Sequence, residues 1–149
     1  MITVRPVQAR DAASWLRLRC ALWPDGSEAE HSADIDGFLA GRADEPQSVL
    51  LAVDGVGRIV GLAELSIRPC AEGCLTNRVA YLEGWYVDSE ARGRGVGRAL
   101  VAAAEEWGRS QGCREFASDC RADDGLAAAA HRGVGFAEVG LVRCFRKEL

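Results

Sequence analysis

The segment Val87-Asp88-Ser89-Glu90-Ala91-Arg92-Gly93-Arg94-Gly95-Val96-Gly97-Arg98-Ala99-Leu100 constrains the chain more than any other. It follows an apolar run, Val79 to Val87, that reads as a strand, and it opens a helix from about Val96 to Gln111 with Val96, Leu100, Ala104 and Trp107 on one face. Gly112 suits the C-terminal cap of that helix. Gly93, Gly95 and Gly97 between a strand and a helix leave backbone N–H groups without intrahelical partners and without side chains blocking approach. With Arg92, Arg94 and Arg98 beside them and the positive end of the helix behind them, those groups suit a pyrophosphate.

Spacing narrows the ligand. A Walker loop needs G-x-x-x-x-G-K-[ST], and no Lys-Ser or Lys-Thr occurs here, so a nucleotide triphosphatase is excluded. The dinucleotide fingerprint G-x-G-x-x-G begins with Gly93 and Gly95 but meets Arg98 where a third glycine must allow close helix packing.

The rest of the chain supplies the fold around this loop. At 149 residues it forms one domain, 1–149. A short strand at 2–5 precedes a helix that Asp11 can cap, with Ala12, Trp15, Leu16, Leu18 and Leu22 as its apolar stripe. After the break at Pro24-Asp25-Gly26, the acidic stretch Asp25 to Glu45 reads as a second helix, anchored by Phe38 and Leu39. Val49–Val53 and Ile59–Ile67 form a hairpin around Asp54-Gly55-Val56-Gly57. Beyond the loop and its helix come a strand at Glu115–Ser118, a helix Gly125–Arg132 capped by Asp123 or Asp124, and two strands, Phe136–Val139 and Leu141–Phe145. The expected architecture is α+β, a mixed sheet of six to seven strands flanked by about four helices.

Charge and cysteine usage exclude several functions. Eighteen Lys and Arg against 22 Asp and Glu give a net charge of −4, which argues against a nucleic-acid or anionic-membrane partner and favours a cationic one. No apolar run approaches the ~20 residues that span a bilayer, and Met1 to Asp11 contains no signal-like stretch, so a cytoplasmic location is expected. The six cysteines form no C-x-x-C pair and His31 and His131 stand alone, so no metal site is expected and the thiols read as reduced.

The spacing Arg92-x-x-Gly95-x-Gly97 resembles the coenzyme A pyrophosphate loop, [Q/R]-x-x-G-x-[G/A], of the GNAT superfamily of N-acetyltransferases. Within it, Trp15 through Trp23-Pro24, Tyr81-Leu82-Glu83-Gly84-Trp85-Tyr86-Val87, the loop itself, Trp107-Gly108, Gly112-Cys113-Arg114-Glu115, Ala117-Ser118-Asp119, His131, Gly135-Phe136 and Phe145-Arg146-Lys147 resemble the aminoglycoside 6'-N-acetyltransferase branch. The resemblance implies direct acetyl transfer from acetyl-CoA to an amine in a ternary complex, within a homodimer paired through its last strands. Other substrates in the same chemistry are another small amine, a polyamine or a peptide; a non-catalytic coenzyme-binding module is the alternative class.

The same resemblance implies the site. The strand Glu83–Val87 splays from its neighbour, so that N–H groups around Trp85, Tyr86 and Val87 meet the pantetheine arm, with Gly84 at a bulge. Arg92, Gly93, Arg94, Gly95, Val96, Gly97 and Arg98 hold the pyrophosphate, and Asp124 and His131 sit against the coenzyme. Glu83 binds a substrate ammonium and relays its proton; Asp119 and Glu138 are further substrate carboxylates, with Gly140 the alternative register for the latter. Trp23 lines the sugar cleft. The place of the tyrosine that reprotonates the thiolate is held by Phe145 or Cys144, leaving Tyr86 or solvent as substitutes.

Overall fold

A computed structural model describes all residues, 1–149. Five strands, β1 (Thr3–Pro6), β2 (Ser48–Val53), β3 (Ile59–Arg68), β4 (Val79–Val87) and β5 (Glu115–Ser118), form one sheet in the order β1-β2-β3-β4-β5. The first four pair antiparallel; β5 pairs parallel to β4 after the crossover through helix α3 (Val96–Ser110). Helices α1 (Ala12–Leu22), α2 (Glu28–Leu39) and α4 (Gly125–Gly133) complete the fold.

Strand alternation divides the core between two faces. Leu50 and Ala52 on β2, with Ala63, Leu65 and Leu82, pack on Val96, Leu100, Val101 and Ala104 of α3. Their neighbours Val49 and Leu51, with Leu62, pack on Trp15 and Leu18 of α1 and Ile35 of α2. Gly108 lets the end of α3 close on β4, since a Cβ there would lie 2.9 Å from that of Ala80. The φ of +80° at Gly112, where the Gly112 and Cys113 N–H groups donate back to Arg109 and Gly108 carbonyls, ends the helix as the sequence indicates.

Three expectations change. Asp11 lies before α1, but its carboxylate accepts from both Arg5 nitrogens at 2.7 and 2.9 Å and from the Gln8 N–H at 2.8 Å, closing the turn ahead of the helix instead of capping it. Arg5 holds that carboxyl below its ordinary value. The bulge in β4 falls on Glu83 and not on Gly84, because Glu64 faces Gly84 while the next residue, Leu65, faces Leu82. Finally, Phe136–Val139 and Leu141–Phe145 are not strands, so the sheet has five strands rather than six to seven. Their alternation is real, but a strand needs a ladder partner, and residues 137–149 make no backbone hydrogen bond within the chain.

Candidate active site

The loop between β4 and α3 takes the shape its glycines permit. Gly93 and Gly95 have φ of +73° and +81°, and no atom lies within 4 Å of where a Cβ would project from either. The left-handed backbone requires glycine, and the open space leaves the amide edge accessible at the start of a 15-residue helix. Other loop residues brace this shape. Val96 is buried in the core, and Gly97 lets α3 settle on Trp85, whose ring carbon Cζ2 would lie 3.0 Å from an added Cβ. Arg92 donates from Nε to the Val87 carbonyl at 2.9 Å with its guanidinium 5.7 Å from the Tyr86 ring, and Arg98 donates to the Gly133 carbonyl at 2.7 Å. Arg94 is exposed and has no hydrogen-bond partner in the chain.

Beside the loop, β4 is paired on one side only. Its ladder with β5 stops at Leu82–Ser118, whereas its ladder with β3 continues to Val87–Gly61. The β5-facing edge of Glu83–Val87 is therefore open, as the resemblance implies. Glu83 stands at the head of this edge, where the bulge re-aims its side chain. The bulky indole of Trp85 packs inward, edge-on to His131 at 5.3 Å between centroids.

Two carboxylates meet at this opening through residues that sequence reasoning assigned no role. Arg68, the last residue of β3, donates from Nε to Glu83 Oε1 at 2.9 Å and from Nη2 to Oε2 at 2.7 Å. The same guanidinium lies 3.5 Å from the centroid of the Tyr81 ring, and the Tyr81 hydroxyl donates to Asp119. Burial first, then the hydrogen bond to and charge of Asp119, push the Tyr81 hydroxyl well above its ordinary value, so it keeps its proton. The signal for Arg68 was a cation closing a ten-residue strand whose only other charge is Glu64.

Trp23 forms the adjacent wall. Its ring lies over Gly84, where an added Cβ would come within 2.8 Å of Cη2, so glycine there serves this close approach. The Arg19 guanidinium sits 5.2 Å from the ring centroid, and His31 of α2 stacks alongside at 6.4 Å while its Nε2 bonds the Trp23 carbonyl at 3.0 Å. Arg19 is itself fixed between Asp34 at 2.9 Å and buried Glu64 at 3.1 Å. Burial pushes the Glu64 carboxyl up and Arg19 pulls it back only in part. Such a buried carboxylate on a central strand was a second signal left unread.

The remaining residues divide. The Asp124 carboxylate accepts from the Ala127 N–H at 3.0 Å and caps α4. His131 bonds the Ala127 carbonyl through Nδ1 at 2.7 Å and Ser118 Oγ through Nε2 at 2.9 Å, tying α4 to the end of β5. Glu138 is exposed and pairs with Arg132 at 2.6 Å. It lies near enough to Cys120 to raise that thiol, after burial, Asp124 and Asp119. Cys144 and Phe145 are exposed. All six cysteines are free, and no helix is long and apolar enough to cross a membrane.

Comparisons with known proteins match this geometry. The chain is 55% identical over 146 residues to an aminoglycoside N(6')-acetyltransferase type 1 of Klebsiella aerogenes, covering 98% of this chain and 96% of that protein. A protein of the same name from Stenotrophomonas maltophilia is 43% identical over 148 residues, covering 99% and 94%. Among solved structures, aminoglycoside N-acetyltransferase AAC(6')-Iy in complex with CoA superposes with a TM-score of 0.91 at 33% identity, covering 100% of this chain and 96% of that one. The same enzyme with the bisubstrate analogue CoA-S-monomethyl-acetylneamine also gives 0.91 at 33% identity, covering 100% and 99%. The acetyltransferase (GNAT) family model spans residues 12–136, which takes in the loop, the open strand edge and both carboxylates: the chain belongs to the GNAT acetyltransferase family.

Proposed function

We propose that this protein is an aminoglycoside 6'-N-acetyltransferase that moves acetyl from acetyl-CoA to the 6'-amine of the antibiotic, in a ternary complex and without an acyl-enzyme, and so confers resistance. The observation that carries the reading is Glu83 on the bulge at the head of the open β4 edge, beside the glycine-arginine loop. The 55% identity to an aminoglycoside N(6')-acetyltransferase over nearly the whole chain supports the substrate.

In this reading the amide edge of Gly93–Gly97 and the Arg94 guanidinium receive the pyrophosphate, with Arg92 and Arg98 adding charge while bracing the loop. N–H groups of the open β4 edge around Trp85, Tyr86 and Val87 hold the pantetheine arm and the thioester carbonyl, where negative charge develops. His131 and the α4 terminus at Asp124 border the same space. Glu83 and Asp119 receive substrate ammonium groups, Trp23 takes a sugar face, and Glu138 adds a carboxylate at the rim. Glu83 accepts the proton of the reacting amine, directly or through water. The amine nitrogen then bonds the acetyl carbon and gives up its second proton to solvent, the carbon–sulfur bond breaks, and the coenzyme thiolate leaves to take up a proton. Tyr81 is poorly suited to supply that proton, being tied to Asp119, which leaves Tyr86 or solvent as the donor in this proposal. Purified protein with acetyl-CoA is expected to acetylate kanamycin and tobramycin, and to leave an analogue with a 6'-hydroxyl untouched. Efficient use of a polyamine or peptide with no turnover of either antibiotic would overturn the substrate assignment.

The assembly is a homodimer in this reading. Residues 137–149 hold no backbone hydrogen bonds within the chain and expose Val139, Leu141, Val142 and Phe145, and the far edge of β5 is unpaired. A second copy gives both a partner. Light scattering is expected to give twice the mass of the chain, and deletion of 137–149 is expected to give a monomer; a full-length monomer at micromolar concentration would refute the pairing. Use of acetyl-CoA and six free thiols favour a cytoplasmic location.

A further inference from the structure

Both carboxylates offered to a cationic substrate are already occupied. Glu83 is clasped by a two-pronged guanidinium at 2.9 and 2.7 Å, and Asp119 accepts a hydrogen bond from the Tyr81 hydroxyl. A ligand bringing an ammonium to Glu83 thus meets a competitor that belongs to the protein. We propose that Arg68 is the resident counter-cation of the substrate site: it holds Glu83 in place when no substrate is bound, is displaced by the substrate ammonium, and thereby sets a threshold that weakly cationic amines do not pass. The inference rests on the reading of Glu83 and Asp119 as substrate carboxylates.

Three features make Arg68 displaceable. Its side chain retains 38% of its exposure while that of Glu83 retains 21%, so the pair is reached from solvent. The guanidinium has a second favourable position available, since its face already lies 3.5 Å from the Tyr81 ring centroid; releasing Glu83 leaves that cation–π contact in place. The Tyr81 hydroxyl that bonds Asp119 belongs to the same ring, and the Asp119 charge acts on Arg68 after Glu83 and Tyr81, so the freed cation keeps a π face and the pull of a carboxylate. Displacement exchanges one charge-assisted pair for another, and the difference is small enough for a polycation to supply. A single amine without further ammonium groups has no such surplus. Arg68 is not a catalytic residue in this scheme, because it need not touch the reacting atoms.

Calorimetric titration of tobramycin into the CoA-saturated protein tests the proposal with Glu83→Gln, Arg68→Gln, their combination and Arg68→Lys. Arg68→Gln is expected to tighten binding by about three- to fivefold, the scale of a partly exposed ion pair. Arg68→Lys, which keeps the charge and loses the fork, should tighten it less. Glu83→Gln should weaken binding, and the double variant should bind like Glu83→Gln alone, because Arg68 then has nothing to withhold. Unchanged or weaker binding by both Arg68 variants, with Glu83→Gln weakened, would make Arg68 a scaffold and overturn the proposal. If Glu83→Gln itself had no effect, the assignment of Glu83 to substrate would fall and take the proposal with it. Should Arg68→Gln fail to fold, Arg68→Lys and the Glu83 variant decide alone.

Discussion

Replacing Glu83 with glutamine is expected to lower kcat/KM for tobramycin by about a hundredfold or more, while leaving CoA affinity within about twofold of the parent. The substitution keeps side-chain volume and removes both the charge that attracts an ammonium and the basicity that takes its proton. Loss of a general base alone is worth about 10²–10⁴ in rate, so the effect should appear in kcat as well as in KM. Stopped turnover at saturating tobramycin would separate the two. An unchanged kcat with a raised KM would leave Glu83 as a binding residue only, and an unchanged kcat/KM would remove it from the site. Stability is a weak confounder, because the pair with Arg68 is partly exposed and the guanidinium keeps its seat on Tyr81.

The five strands of the sheet were legible from patterns within single segments, whereas the division of the core between two faces was not, because Val49 to Val53 is apolar on both. Val49 and Leu51 alternate with Leu50 and Ala52, and that alternation sends the pairs to opposite helical layers. The same reasoning overreached at the chain end. Phe136–Val139 and Leu141–Phe145 carry the strand pattern, but pattern reports only which face would be apolar, and pairing depends on an edge supplied from elsewhere. Asp11 shows the complementary error: its position before a helix was read correctly, while a longer-range partner, Arg5, claimed its carboxylate.

At the candidate site, residues joined by local geometry were readable and residues joined by register were not. Gly93 and Gly95 announced an open loop ahead of a helix, and the structure gives both a positive φ. Gly84 suggested a bulge, yet the bulge is at Glu83 and Gly84 admits the Trp23 ring; a glycine marks close approach as well as a kink, and composition does not distinguish them. The Arg68–Glu83 and Tyr81–Asp119 contacts depend on how β3, β4 and β5 align, fifteen and thirty-eight residues apart in the chain. No spacing rule reaches that far. The consequence is chemical: the sequence presents free carboxylates for a polycation, and the structure presents carboxylates already in contact with a cation and a hydroxyl.

Gly95→Val should abolish measurable CoA binding or weaken it by more than tenfold, with a melting temperature lower by about 3–10 °C. Gly95 holds φ at +81° as the residue entering α3, and no atom lies within 4 Å of its missing Cβ. Valine meets no clash; it meets only the backbone penalty of a β-branched residue at positive φ, about 1–3 kcal/mol. The loop can relieve that strain by rotating, which turns the amide edge away from the pyrophosphate. Gly41 supplies the control, since its φ of +71° and equally open surroundings lie beyond α2, away from the loop. Gly41→Val should cost similar stability and leave CoA affinity unchanged. Equal CoA affinity in the two variants would detach the glycine-arginine loop from coenzyme binding, whereas loss in Gly95→Val alone ties the ligand to the backbone conformation that only glycine sustains at that position.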